Sequence, residues 1–102
     1  MTEAIHPPRG RRVYFIQAID GGLIKIGAAN DPDKRLRLLQ ANCPVRLRFI
    51  GLIRDGWYTE RWLHHEFDDL REYGEWFRPA PELLAYIAEH ATAREGAEQP
   101  AS

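Results

Sequence analysis

Arg12-Val13-Tyr14-Phe15-Ile16-Gln17-Ala18, then Asp20-Gly21-Gly22, then Leu23-Ile24-Lys25-Ile26-Gly27-Ala28 is the stretch that decides the fold. The first run is rich in β-branched and aromatic residues and predicts a strand. Asp20-Gly21-Gly22 is a strong hairpin turn signal, so Leu23 to Ala28 is expected to return antiparallel to the first strand. Asn30 or Asp31 can cap a following helix, with Pro32 suited to its first turn. Leu36 and Leu39, with Leu38 beside them, give that helix its apolar face. It should stop near Asn42-Cys43-Pro44, because the residue before a proline disfavours the α region.

Further along, Val45 to Arg54 alternates Leu47, Phe49 and Gly51 against Arg46, Arg48 and Ile50, which predicts a third strand. Asp55-Gly56 breaks it. Leu63, Phe67 and Leu70 are spaced four and three apart and predict a second helix over Trp57 to Arg71, ended by Gly74. Glu75-Trp76-Phe77 reads as a short extended segment. Leu83, Leu84, Ile87 and Ala91 define a third helix from Pro79 to about His90. The order β-β-α-β-α-extended-α predicts an α+β domain, a small three-stranded antiparallel sheet flanked by helices in an α/β sandwich-like arrangement. Residues 1–11 are expected to form a loose arm, 12–92 the single domain and 93–102 a disordered tail.

A chain of 102 residues, 44% hydrophobic and 28% charged, is the size and composition of one small globular domain. Its net charge of −1 conceals an asymmetry. Up to Arg54 there are ten basic residues against four acidic, and after it four against eleven. A basic half fits a polyanionic partner, although solvated surface faces would read the same way. Cys43 is the only cysteine, which excludes an intrachain disulfide and a cysteine-based zinc site. No apolar run approaches the ~20 residues that span a bilayer, and no signal-peptide pattern opens the chain. The expectation is a cytoplasmic protein with no membrane association, a monomer or weak dimer. Ser102 is the only serine, which excludes a serine hydrolase, and no phosphate-binding glycine loop occurs.

The residues that could do chemistry are Tyr14, Lys25, Arg35 and Glu60, on elements expected to pack together. A phenol, a guanidinium and a carboxylate in one place suit phosphodiester chemistry. Arg35 can fork onto two phosphate oxygens at any working pH. Glu60 lies three residues before Leu63, near the buried stripe, where a carboxylate is costly unless paired or metal-bound. Gly27 would allow close backbone approach. His64, one turn after Glu60, could contact a phosphate or hold Glu60 in place, while Lys34 and Arg37 could contact the DNA backbone. Glu75 could form the rim of the site or bond arginine or backbone groups, and Trp57 and Tyr58 could stack on bases or pack on the third strand.

Tyr14 followed one turn later by Lys25-Ile26-Gly27, then Asp31-Pro32-Asp33-Lys34-Arg35-Leu36, Glu60-x-x-Leu63-His64 and Gly74-Glu75-Trp76-Phe77 resembles the GIY-YIG nuclease superfamily. The resemblance is closest to the small phage- and bacterial-type branch whose second signature reads Lys-Ile-Gly. It implies Mg²⁺- or Mn²⁺-dependent endonucleolytic cleavage of DNA. On that resemblance Tyr14 helps deprotonate or orient the attacking water, Arg35 and Lys25 bind the scissile phosphate, and Glu60 holds the metal. Lys25 stands where the second signature usually carries a tyrosine. The alternatives are structural: a core tyrosine, a solvent-facing Lys25, an Arg35 paired with Asp31, and a Glu60 paired with Arg35 or Lys25. The replacement of the second-signature tyrosine by Lys25 motivates a second reading, a catalytically inactive DNA-binding module of the same fold, and the exposed aromatics a more remote third, a protein-interaction domain.

Overall fold

The computed structural model describes residues 12–54 and 56–92, with the backbone alone for 56–58. The expectations for the N-terminal arm, the Asp55 break, the side chains of Trp57 and Tyr58 and the C-terminal tail lie outside these residues. The element order is β1 (Arg12–Ala18), β2 (Ile24–Ala29), α1 (Pro32–Ala41), β3 (Leu47–Ile53), α2 (Gly56–Glu66), β4 (Arg71–Tyr73), β5 (Trp76–Phe77) and α3 (Pro81–His90). A single 3₁₀ turn, Asp68–Leu70, joins α2 to β4.

The expected α+β class is observed, but the sheet has five strands rather than three, in the order β3-β1-β2-β5-β4. Every strand pair is antiparallel. The two additional strands come from the segment read as the end of a long second helix and from the short extended run after it. Leu70 does face the core, but through the 3₁₀ turn rather than α2. Helical periodicity cannot distinguish these two ways of burying the same leucine. Gly74, at φ 55, then makes the tight turn between β4 and β5.

The hairpin between β1 and β2 forms where expected, with Asp20 at φ 63 and Gly21 at φ 73. Its register sets Tyr14 opposite Gly27 and Ile16 opposite Lys25. Alternate β1 side chains point to opposite faces. Val13 and Phe15 join Ile24, Ile26, Leu63, Phe67, Leu83 and Ile87 in one apolar cluster, which seats α2 and α3. Tyr14 and Ile16 join Leu47 and Leu52 in a second cluster, against which Leu36 and Leu39 of α1 pack. The sheet therefore has α1 on one face and α2 with α3 on the other.

Asp31 is the cap that α1 uses, its carboxylate accepting from the Lys34 N–H at 3.1 Å. No residue of α1 is fully buried, and Leu38, expected on its apolar face, is 53% exposed. Leu84 of α3 likewise faces outward. The two layers also separate charge. Arg37 and Arg46 flank a hollow beside α1, whereas Glu66, Asp69, Glu82 and Glu89 surround the Trp62–Tyr86 groove between α2 and α3.

At its C-terminal end α3 settles on β3, where Gly51 leaves room for it, and Thr92 bridges to Leu52. A Cβ on Gly51 would sit 2.8 Å from the Ala91 Cβ and 3.1 Å from the Ile87 Cγ2. We expect Gly51→Val to destabilise the domain by about 1–3 kcal/mol through overpacking. A urea midpoint equal to that of the wild type would show that α3 does not need this contact.

Candidate functional site

β5 is two residues long and pairs with β2 only at Ile24 and Lys25. One more backbone bond, from the Ile26 N–H to the Glu75 carbonyl at 3.0 Å, closes the ladder. Beyond it the Ile26 carbonyl needs a donor from elsewhere. His64 of α2 supplies it, with Nε2 at 2.8 Å. A carbonyl only accepts, so Nε2 is the protonated nitrogen. The His64 ring also lies 5.5 Å from that of Phe77, and the Arg71 guanidinium donates to the His64 carbonyl at 3.1 Å. His64 is thus tied to the sheet edge by both its ring and its backbone.

Glu60 lies one helical turn before His64, its carboxylate 4.0 Å from Nε2. Glu75 reaches the same place from the β4–β5 turn. One potential ligand atom from each of Glu60, His64 and Glu75 lies within 4.8 Å of the others. Glu75 also accepts a 2.7 Å bond from the ammonium of Lys25, whose side chain is only 12% exposed. Lys25 is therefore not the solvent-facing lysine that an isolated strand position suggested. Its Nζ also sits 5.8 Å from the centre of the Trp76 ring, its cross-strand neighbour.

Tyr14 approaches this cluster from the sheet's interior. A Cβ added to Gly27 would overlap the Tyr14 hydroxyl and Cζ, so the phenol ring lies across the Gly27 backbone. Any side chain at position 27 would displace it, which gives the close approach expected of Gly27 a specific partner. The hydroxyl is buried and has no partner at hydrogen-bond geometry among the described residues. Such orphaned buried groups are rare in folded proteins. Burial pushes the phenol above its ordinary value of 10.0. The nearby Arg35 guanidinium pulls against it, through its charge and as a donor close to the hydroxyl, while the Glu75 and Glu60 carboxylates push with burial. Burial prevails, so the group is a neutral phenol near pH 7.

The Tyr14 hydroxyl thus lies within electrostatic reach of Arg35, Glu60 and Glu75, while Glu75 bonds Lys25 and His64 stands beside Glu60. Arg35 is exposed on α1 and aimed at the phenol, while Asp31, its suggested ion-pair partner, caps the helix. Lys34 and Arg37 are exposed on the same helix. Glu75, left between rim and backbone roles by the sequence, is a full member of the cluster. Its position after the Gly74 turn was the available signal, but only the pairing of β5 with β2 brings it opposite Lys25.

Residues 11–93 match the family model described as the T5orf172 domain. The chain belongs to the T5orf172 domain family. This corrects the GIY-YIG assignment: the matching model belongs to a different family, and the motifs that carried the resemblance are short ones. No curated protein and no solved structure matches the chain. Among the described residues of this T5orf172 domain, no helix is long and apolar enough to cross a membrane.

Removing an unpartnered buried hydroxyl should not weaken the fold. We expect Tyr14→Phe to unfold at a urea concentration at or above that of the wild type. The folded phenol ionises above the unfolded one, so its contribution to stability is complete below pH ~10 and is lost as pH rises further. The wild type should accordingly lose more stability above pH ~10 than Tyr14→Phe does, read from denaturation midpoints across an alkaline series. Equal losses would mean that burial does not hold this phenol neutral.

Proposed function

We propose that this T5orf172 domain is a divalent-metal-dependent endonuclease that hydrolyses phosphodiester bonds in DNA. The observation that carries the reading is the grouping of Glu60, His64 and Glu75 within 4.8 Å of one another, with both carboxylates acting on a buried Tyr14 hydroxyl that donates to no described residue. A structural ion pair between Lys25 and Glu75 needs neither a second carboxylate nor a buried phenol beside it. The donor set fits a hard cation such as Mg²⁺ or Mn²⁺, which takes oxygen ligands and often only one or two from protein. Glu60 and Glu75 are the carboxylates that would hold it. His64, fixed by the Ile26 carbonyl, keeps Glu60 in place.

Bound there, such an ion would supply positive charge that polarises a phosphate oxygen and favours ionisation of groups beside it. Arg35 holds two non-bridging phosphate oxygens and stabilises charge growing on them as water adds to phosphorus. Tyr14, held neutral by burial, orients that water through its hydroxyl. Deprotonation of the phenol is opposed by its own setting unless further positive charge arrives. Lys25 holds Glu75 turned toward the site through their 2.7 Å bond. Lys34 and Arg37 contribute charge along α1 toward the DNA backbone.

The Lys25–Glu75 bond also favours the second reading, a DNA-binding module without cleavage, because it offers a carboxylate at the site a partner other than a metal. Supercoiled plasmid incubated with Mg²⁺, with Mn²⁺ and with EDTA separates the two. We expect metal-dependent nicking that falls at least a hundredfold in Glu60→Gln and in Arg35→Ala, with both variants folded. Nicking at wild-type rates in both would overturn the hydrolase reading, and retardation of DNA without nicking in any metal would establish the binding module.

A further inference from the structure

Beside the proposed catalytic site runs a groove that shares Arg35 with it and whose other lining residues have no role above. One wall is the stripe Arg35, Leu38 and Leu39 on α1 with its C-cap Asn42, and the other is the β4–β5 hairpin with Tyr73 and Trp76. Residues at i, i+3, i+4 and i+7 share a helix face, so the first wall runs ~10 Å from Arg35 to Asn42. The groove encloses about 540 Å³, within the ~300–1,000 Å³ of small-ligand pockets. Tyr73 and Trp76 are cross-strand partners, so their rings stand side by side on one face of the hairpin. Trp76 in turn neighbours Lys25 on β2. The row Lys25, Trp76, Tyr73 thus leads from the site outward across the sheet.

Tyr73 is 64% exposed and Leu38 53% exposed, the two most open large apolar side chains among the described residues. They line one groove, and neither belongs to an apolar cluster. Trp76 packs partly on the second cluster and lines the groove as well. The groove begins at the guanidinium assigned above to the scissile phosphate. A flat, weakly polar group linked to that phosphate would enter it and lie against the tyrosine and tryptophan rings.

We infer that the groove takes an unpaired nucleobase adjoining the scissile phosphate, so that the preferred substrate is a DNA strand with an unstacked nucleotide. The inference rests on the phosphodiester reading of the Tyr14–Arg35–Glu60 site. Aromatic side chains hold unpaired bases by stacking on faces that every base has, without sequence preference. A base within a continuous duplex is stacked on both sides and cannot enter such a groove. The exposed positive residues of α1 fit a strand whose phosphates follow the base, and they disfavour a cationic peptide as occupant.

The test is equilibrium binding in EDTA, by fluorescence anisotropy, of a fully paired duplex and of the same duplex carrying one bulged nucleotide. We expect the wild type to bind the bulged duplex at least tenfold more tightly, and Tyr73→Ala and Leu38→Ala each to lose most of that preference. Both substitutions fall at exposed positions, and the urea midpoint of each variant checks that it folds. Equal wild-type affinity for the two duplexes would overturn the base groove whether or not the plasmid is cut. A bulge preference that both variants retain would also overturn it. A preference lost in the variants, from a protein that does not cut DNA in any metal, would support the groove while overturning the hydrolase. A dimer in sedimentation that dissolves in Tyr73→Ala, with no bulge preference, would give the groove to a second copy of the chain and overturn the inference.

Discussion

The Tyr14 ring lies across the backbone of Gly27, and the rest of the site is arranged around that contact. It requires a strand pair in exact register, an aromatic residue on one strand and no side chain on the other. It sends the phenol from the interior strand β1 over β2 to the edge that β5 leaves open. There the strand carbonyl of Ile26, lacking a β5 partner, is met by His64, which fixes the turn of α2 that carries Glu60. A longer β5 would satisfy that carbonyl itself and leave His64 without an anchor. The shortness of the strand and the presence of the cluster are one fact.

The electrostatics of the phenol are a contest with an identifiable winner. Burial and two carboxylates favour the neutral form, and one guanidinium opposes them. The outcome is a proton donor with nothing to donate to among the described residues, which is costly in a folded interior. Domains of this size hold little stability in reserve. The role proposed for Tyr14 on a bound water would account for keeping such a group.

Much of this was legible in the sequence. The β1–β2 hairpin, the Pro32 start of α1 and the buried stripes of α2 and α3 follow from local turn chemistry and periodicity, which act over a few residues. Tyr14, Arg35 and Glu60 could be grouped because their elements were expected to pack together. The five-stranded sheet was not legible. β4 and β5 are three and two residues long, too short for alternation to register, and the leucine before them fits a helical stripe equally well. Missing β5 meant missing why Glu75 belongs with Lys25, since fifty residues separate them in the chain and only a cross-sheet pairing unites them. The family assignment failed for a related reason. Short motifs in a plausible order capture local chemistry, whereas a family model weighs the whole span of the domain.

The division of charge between the two faces of the sheet gives the molecule a polarity that its net charge conceals. Arginines flank α1, and carboxylates surround the groove between α2 and α3. In the field of a polyanion such a body experiences a torque more than a pull. It would be turned during diffusion so that α1 leads and the acidic side trails, before any contact forms. Orientation, ordinarily the slow part of a productive encounter, would then be largely settled at a distance. Added salt would erode that alignment over a length of ~8 Å at physiological ionic strength, even where the contacts finally made are unaffected.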